Sequence, residues 1–181
     1  MTTCATGVSP RHIRLARRAE LPGLQRLERR SGEIFRPIGM AEVAEDEPSS
    51  LAELEHYLAA GRAWVIIDAD RQDGALLGYL LAEPVDGDMH IAQVSVDPAA
   101  AGRRLGAALI EHLAGVAGGQ GFPALTLTTY RDVPWNAPYY RALGFTEIPE
   151  SELGPGLRLI RELEAKAGLD RWPRLAMMRP L

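Results

Sequence analysis

Hydrophobic positions along this chain change their spacing several times, and each change marks an element. Between residues 20 and 30, Leu21, Leu24 and Leu27 recur at helical spacing with charged side chains between them, which predicts a surface helix burying one apolar stripe. Residues 63–68 and 75–82 are apolar runs on either side of a turn signal at residues 70–74, which predicts an antiparallel hairpin. Asp86-Gly-Asp88 turns the chain into His90-Ile-Ala-Gln-Val-Ser-Val96, a β-branched and roughly alternating run. Leu105, Leu109, Leu113 and Val116 return to helical spacing, and Ala124-Leu-Thr-Leu-Thr-Thr129 is again strand-like. A short helix opens at Asn136-Ala-Pro138. After Phe145 the pattern predicts a short strand, a helix over residues 157–167 and a last strand over 174–179. Near the start, residues 11–16 can form a short strand, and the acidic loop 45–50 carries serines able to cap a helix from about residue 51 to 60. Strands, a crossover helix and further strands make an α/β sandwich around a mixed sheet.

Composition narrows the class. The chain has 181 residues, 46 % of them hydrophobic, which suits one domain over residues 1–181, with the first ten expected to be flexible. A net charge of −4 gives no basic footprint, so no nucleic-acid partner is expected. The single cysteine, Cys4, excludes a disulfide framework, and His12, His56, His90 and His112 lack ligand spacing, so no metal is expected. No run has the length of a membrane span and the first residues lack a signal pattern, so the expectation is a cytoplasmic protein without a membrane partner.

Candidate chemistry begins at Pro98-Ala-Ala-Ala-Gly-Arg-Arg-Leu-Gly-Ala107, between the strand ending at Val96 and the helix beginning near Leu105. Backbone N–H groups at a helix start lack intrahelical partners and the helix dipole adds positive charge there, so a phosphate is held by the backbone itself. Gly102 can take positive φ, Gly106 allows close approach, and Arg103 and Arg104 can add charge-assisted hydrogen bonds. The segment is neither Gly-x-x-x-x-Gly-Lys-Ser/Thr nor Gly-x-Gly-x-x-Gly, which leaves an acyl-CoA cradle.

A second segment, Thr128-Thr-Tyr-Arg-Asp-Val-Pro-Trp-Asn-Ala-Pro-Tyr-Tyr-Arg-Ala-Leu-Gly-Phe145, follows in the order and at the spacing in which the GNAT N-acetyltransferase superfamily carries an Asn…Tyr-x-x-x-Gly-Phe element after its pyrophosphate loop. The chain resembles that superfamily over residues 60–148. The resemblance implies a mixed, mostly antiparallel central sheet with helices on both faces, and acetyl-CoA as co-substrate. It places the pyrophosphate on Ala101, Gly102, Arg103, Arg104, Leu105, Gly106 and Ala107, and the pantetheine arm along the backbone of Val94 and Val96. The family pattern has Gln or Arg where this chain has Ala101, and its first glycine where this chain has Arg104.

The resemblance also assigns Tyr140 as the acid that protonates the departing thiolate. Its place near the start of a helix would lower its pKa, while Tyr139, facing elsewhere, would pack. Asn136 would contact the pantetheine arm or cap the helix. In the family the strand can carry a carboxylate base, but this chain has Gln93, which cannot act as a base and can instead position a water. His90, three residues earlier, would face the other side unless a bulge intervenes. Glu33 and Glu83 are further candidates for the base. Phe35, Tyr130 and Trp135 can wall an aromatic pocket for an ammonium, with Asp132 pairing it. The expected function is transfer of an acetyl group to a primary amine of a small molecule by direct attack in a ternary complex. The alternatives are a protein N-terminal or lysine acetyltransferase and a non-catalytic acyl-CoA-binding module. A homodimer is compatible with the family.

Overall fold

The computed structural model describes residues 11–68 and 75–181. The turn expected at 70–74, Cys4 and the rest of the first ten residues lie outside the described residues. Seven strands form one sheet in the order β1-β2-β3-β4-β5-β7-β6. They are β1 (Arg11–Leu15), β2 (Ala63–Asp68), β3 (Leu76–Val85), β4 (Asp88–Val96), β5 (Ala124–Tyr130), β6 (Thr146–Ile148) and β7 (Arg174–Pro180). Every neighbouring pair is antiparallel except β4 and β5, which the crossover helix joins. The helices are α1 (Leu21–Gly32), α2 (Ala41–Ala44), α3 (Leu51–Ala59), α4 (Leu105–Gly119), α5 (Ala137–Ala142) and α6 (Pro155–Lys166). The mixed, mostly antiparallel sheet with helices on both faces is the architecture expected.

Strand alternation sorts the core into two layers. Trp64, Ile66, Leu80, Ala82, Met89, Ile91, Leu125 and Leu127 pack with Leu105, Leu109, Ile110 and Leu113 of α4 on one face. Ala63, Val65, Tyr79 and Leu81 pack on the other with Leu21, Leu24 and Leu27 of α1 and Leu54 of α3. The predicted stripe of α1 is thus the buried one. Ser50 caps α3 as expected: its hydroxyl accepts from Glu53 N–H at 3.2 Å while the Glu53 carboxylate accepts from Ser50 N–H at 2.7 Å. The start of α6 is fixed from afar, because both Asp86 carboxylate oxygens, on the β3–β4 turn, accept from Gly156 and Leu157 N–H at 2.8 and 2.9 Å. Among the described residues no helix is long and apolar enough to cross a membrane.

Two irregularities shape the centre of the sheet. The β3–β4 register pairs Leu81 with Gln93 but Ala82 with Ile91, so Ala92 is an extra, bulged residue on β4. The parallel pairing of β4 with β5 covers only Met89–Ile91 against Leu125–Leu127. Beyond it β4 pairs with β3 alone and β5 with β7 alone, so the sheet opens into a V.

Candidate active site

The open part of β4 runs straight into the glycine-rich turn. Asp97 steadies that turn by accepting from Ala99 N–H at 2.9 Å and pairing with Arg30 of α1 at 2.6 Å. Gly102 has φ +75° and Arg104, the residue before α4, has φ +57°, both left-handed. Arg104 is thus a non-glycine residue in left-handed backbone, at a cost of about 1 kcal/mol. Ala108 N–H bonds back to Arg104, so the N–H groups of Leu105, Gly106 and Ala107 precede the helical ladder, and the first turn of α4 carries no acidic residue. The Tyr139 phenol oxygen lies 3.1 Å from where a Gly106 Cβ would be, against the first turn of α4. These outward-aimed donors suit a pyrophosphate.

The α5 tyrosines correct two expectations. Tyr139 does not merely pack: its phenol reaches the cradle, while burial holds its pKa above the ordinary value. Tyr140 is buried in the core beside Phe145, ring centroids 5.8 Å apart. Its pKa is pushed far up by burial, with Tyr139 adding to the shift, rather than lowered by the helix. The reason is that α5 spans only six residues, too little dipole to offset loss of solvent. Asn136 makes no side-chain cap either. Its Nδ2 donates to Thr129 at 2.8 Å, leaving Oδ1 buried without a hydrogen-bond partner. A buried orphan acceptor beside the V fits an incoming amide N–H.

On the α1 face the bulge at Ala92 brings His90, Gln93 and Ser95 to the same side of β4, since they oppose Glu83, Leu81 and Tyr79. His90 is 3 % exposed, its Nδ1 lies 3.0 Å from Thr126 Oγ1, and burial lowers its pKa to about 4. It is a neutral, enclosed imidazole. Gln93 donates to Ser95 Oγ at 2.8 Å. Glu33 is exposed and paired with Arg36 at 2.9 Å, which holds its pKa below the ordinary value. Glu83 accepts from Tyr57 at 3.0 Å.

Phe35 packs edge-on against both Tyr130 and Trp135, each with centroids 5.8 Å away. Tyr130 and the exposed Asp132 line a cavity of about 300 Å3 with Ile38, Met40, Val133 and Trp172. Phe35 and Trp135 stand behind that lining, in the apolar cluster shared with Met40, Tyr130 and Trp172. An ion pair between Arg171 and Glu42 ties the segment before β7 to α2.

The acetyltransferase (GNAT) family model matches residues 24–145. The chain belongs to that family. It is an acetyl-CoA-dependent N-acetyltransferase. The fold is shared at low identity with solved structures. A GNAT-family acetyltransferase from Staphylococcus aureus Mu50 is 16 % identical with TM-score 0.71, covering 95 % of this chain and 99 % of that one. Rv2747 from Mycobacterium tuberculosis, in complex with CoA, is 20 % identical with TM-score 0.68, covering 94 % and 99 %. The PaiA N-acetyltransferase of Thermoplasma acidophilum, in complex with coenzyme A, is 13 % identical with TM-score 0.67, covering 95 % and 99 %. Among the described residues no group of three or more His, Cys, Asp or Glu could hold a metal ion.

Two groups on the α1 face escaped the sequence reading. Glu164 of α6 accepts from Thr128 at 2.5 Å and from Arg174 at 2.7 and 3.2 Å, and pairs with Arg161. Burial works against its charge, yet Arg174, Thr128 and Arg161 hold its pKa low. Arg174 also stacks over Tyr130, 4.4 Å from the ring centroid. Nothing local in the sequence joins residues so far apart. Glu28 of α1 accepts from Tyr79 at 2.5 Å. Its signal was available: it falls four residues after Leu24, on the apolar stripe of α1, where a carboxylate is out of place.

Proposed function

We propose that the acceptor is a primary amine of a small, largely apolar molecule, acetylated by direct attack within a ternary complex. The observation that carries this reading is the cavity of about 300 Å3 beside Tyr130 and Asp132, roughed in by apolar side chains and bridged nearby by the Arg171–Glu42 pair. A space of that size suits a small organic molecule better than a peptide chain. Asp132 offers the carboxylate for an ammonium and Tyr130 a ring face.

Bound acetyl-CoA supplies an acetyl thioester, which an amine attacks at the carbonyl carbon. The N–H groups of Leu105, Gly106 and Ala107 and the side chains of Arg103 and Arg104 hold its pyrophosphate. Val94 and Val96 lend backbone groups to the pantetheine amides from the stretch of β4 that β5 has left, and Asn136 Oδ1 accepts one amide N–H. Tyr139 closes the cradle from α5. Tyr140 donates to the sulfur as negative charge develops there; its elevated pKa keeps it protonated, so the proton moves only late, when the C–S bond is breaking. CoA-bound neighbours of the same fold support the donor site.

The test combines calorimetric titration with acetyl-CoA and a thiol-release screen over a panel of primary amines. Wild-type protein should bind and turn over apolar amines, and Tyr140→Phe should keep binding while kcat falls about 100-fold or more. Tyr139→Phe should chiefly weaken acetyl-CoA binding. Unchanged turnover in Tyr140→Phe removes it from the acid role, and turnover of peptide N-termini in preference to free amines refutes the small-molecule reading.

A further inference from the structure

The lining of the acceptor cavity comes from three stretches of chain: residues 38–40 after α1, residues 130–134 at the end of β5, and Trp172-Pro173 just before β7. Two of these are joined through the backbone. Arg131 N–H donates to the Pro173 carbonyl at 2.8 Å, which carries the β5–β7 pairing one step past Tyr130. The stretch 38–40 meets the other two through side chains, in the apolar cluster that gathers Met40, Tyr130, Val133 and Trp172.

Trp172 is the largest side chain of that lining, and it is held from several sides. Its ring stands edge-on to Tyr130, with centroids 6.4 Å apart and planes at 89°. The Arg171 guanidinium lies 5.4 Å from the Trp172 ring centroid, and the same guanidinium pairs with Glu42 of α2. The turn that delivers the indole, Leu169–Arg171, is tied to α6 by Arg161 and Asp170 at 2.6 Å. Pro173 restricts the residue before it to extended backbone, and Trp172 has φ −114° and ψ 138°. Backbone and ring are both fixed before an acceptor arrives. A fixed wall discriminates by shape, where a flexible one repacks around different guests.

The other bulky groups of the lining are poorer gauges of size. Met40 is buried, but its unbranched thioether changes rotamer to suit a neighbour. Tyr130 is buried and braced by Arg174 over its ring at 4.4 Å and by Phe35 at 5.8 Å, so it belongs to the core as much as to the cavity. Ile38 is 45 % exposed, which leaves it room to give way toward solvent. Trp172 combines bulk, partial burial and a clamp, and it stands outside the sheet ladder, so its ring can be changed without touching a strand pairing.

We propose that Trp172 sets the upper size limit of the acceptor, with Arg171 as the positioning residue that holds its indole against Tyr130. The inference rests on the small-amine reading above and adds which residue does the selecting. With the amine end of the acceptor at Asp132, extra bulk goes against the apolar remainder of the lining, of which Trp172 is the least yielding part. A cavity of about 300 Å3 takes an amine carrying a single ring on a short tether, and a second fused ring meets the indole. At such a wall a misfit of even one methylene changes kcat/KM by about 10-fold or more.

The test compares phenethylamine with naphthylethylamine, the same amine and tether bearing a second fused ring, by thiol release at saturating acetyl-CoA. The ratio of the two kcat/KM values, taken on one preparation, does not depend on how much of the protein is folded. Wild type should favour phenethylamine by about 10-fold or more. Trp172→Ala should bring the ratio to one or reverse it, chiefly through KM, and Trp172→Phe, the milder change that keeps a ring in the cluster, should fall between. Arg171→Gln should move the ratio part of the way toward that of Trp172→Ala. Acetyl-CoA affinity by calorimetry should be unchanged in all three variants. Wild-type turnover with no preference between the two amines, or with a preference that both Trp172 variants retain, overturns this inference alone. A wild-type ratio in Arg171→Gln overturns the positioning role. Absence of wild-type turnover with either amine overturns the small-amine reading as well.

Discussion

On the α4 face the proposed donor site is made of backbone: a strand stretch that β5 has left, a left-handed turn and the first N–H groups of one helix. On the α1 face the polar groups are side chains drawn from α1, β3, β4, β5, α6 and β7. In the first, Arg104 stands at φ +57° where the family pattern has a glycine, and the candidate donors belong to the main chain. The second depends on named partners from distant segments, as Glu164 does on Thr128 and Arg174 and Glu28 on Tyr79. Backbone sites are robust to sequence change, and side-chain sites are not.

The largest expected effect falls on the side-chain face. Glu164→Gln would weaken the bonds to Thr128, Arg161 and Arg174 and leave two largely enclosed guanidiniums under-compensated. A loss of about 3 kcal/mol is expected in denaturant unfolding. A loss below about 1 kcal/mol would mean that this cluster does not hold the face together.

Next comes a pH effect from the same face. His90 is neutral in the fold, with a pKa depressed from 6.5 to about 4 by burial. Below pH 6.5 the unfolded chain binds a proton that the folded chain refuses, so stability is complete above that pH and falls as pH drops toward 4. The shift corresponds to about 3 kcal/mol, and His90→Gln should flatten that part of the stability profile. An identical slope in the variant would place the acid sensitivity elsewhere.

Arg104→Gly sharpens the comparison from the donor face. Relief of the left-handed strain should raise stability by up to about 1 kcal/mol, offset in part by the looser unfolded chain. Acetyl-CoA binding should weaken only by the lost charge, and less in high salt, where that charge is already screened. Collapse of binding in the variant would show that the cradle depends on a side chain after all.

The smallest effect belongs to the exposed Arg171–Glu42 pair. Glu42→Gln should change stability by less than about 1 kcal/mol. Its readout is selectivity: bulkier amines should gain relative to small ones in competition assays.

Much of this molecule was legible without coordinates where information is local. Leu21, Leu24 and Leu27 set α1, apolar runs set β2 and β3, rough alternation set β4, and the serines ending the acidic loop set the start of α3, because periodicity and capping act within a few residues. Gly102 and Gly106 announced the turn into α4 for the same reason, and a motif built from backbone is read from its punctuation. Tertiary structure decided the rest. The bulge at Ala92 placed His90 beside Gln93, and burial reversed the expected pKa shift of Tyr140. Packing gave Tyr139 to the cradle, while α6 brought Glu164 beneath β5 and β7. Those outcomes depend on desolvation and on contacts between segments far apart in the chain, and neither quantity is written in the spacing of residues.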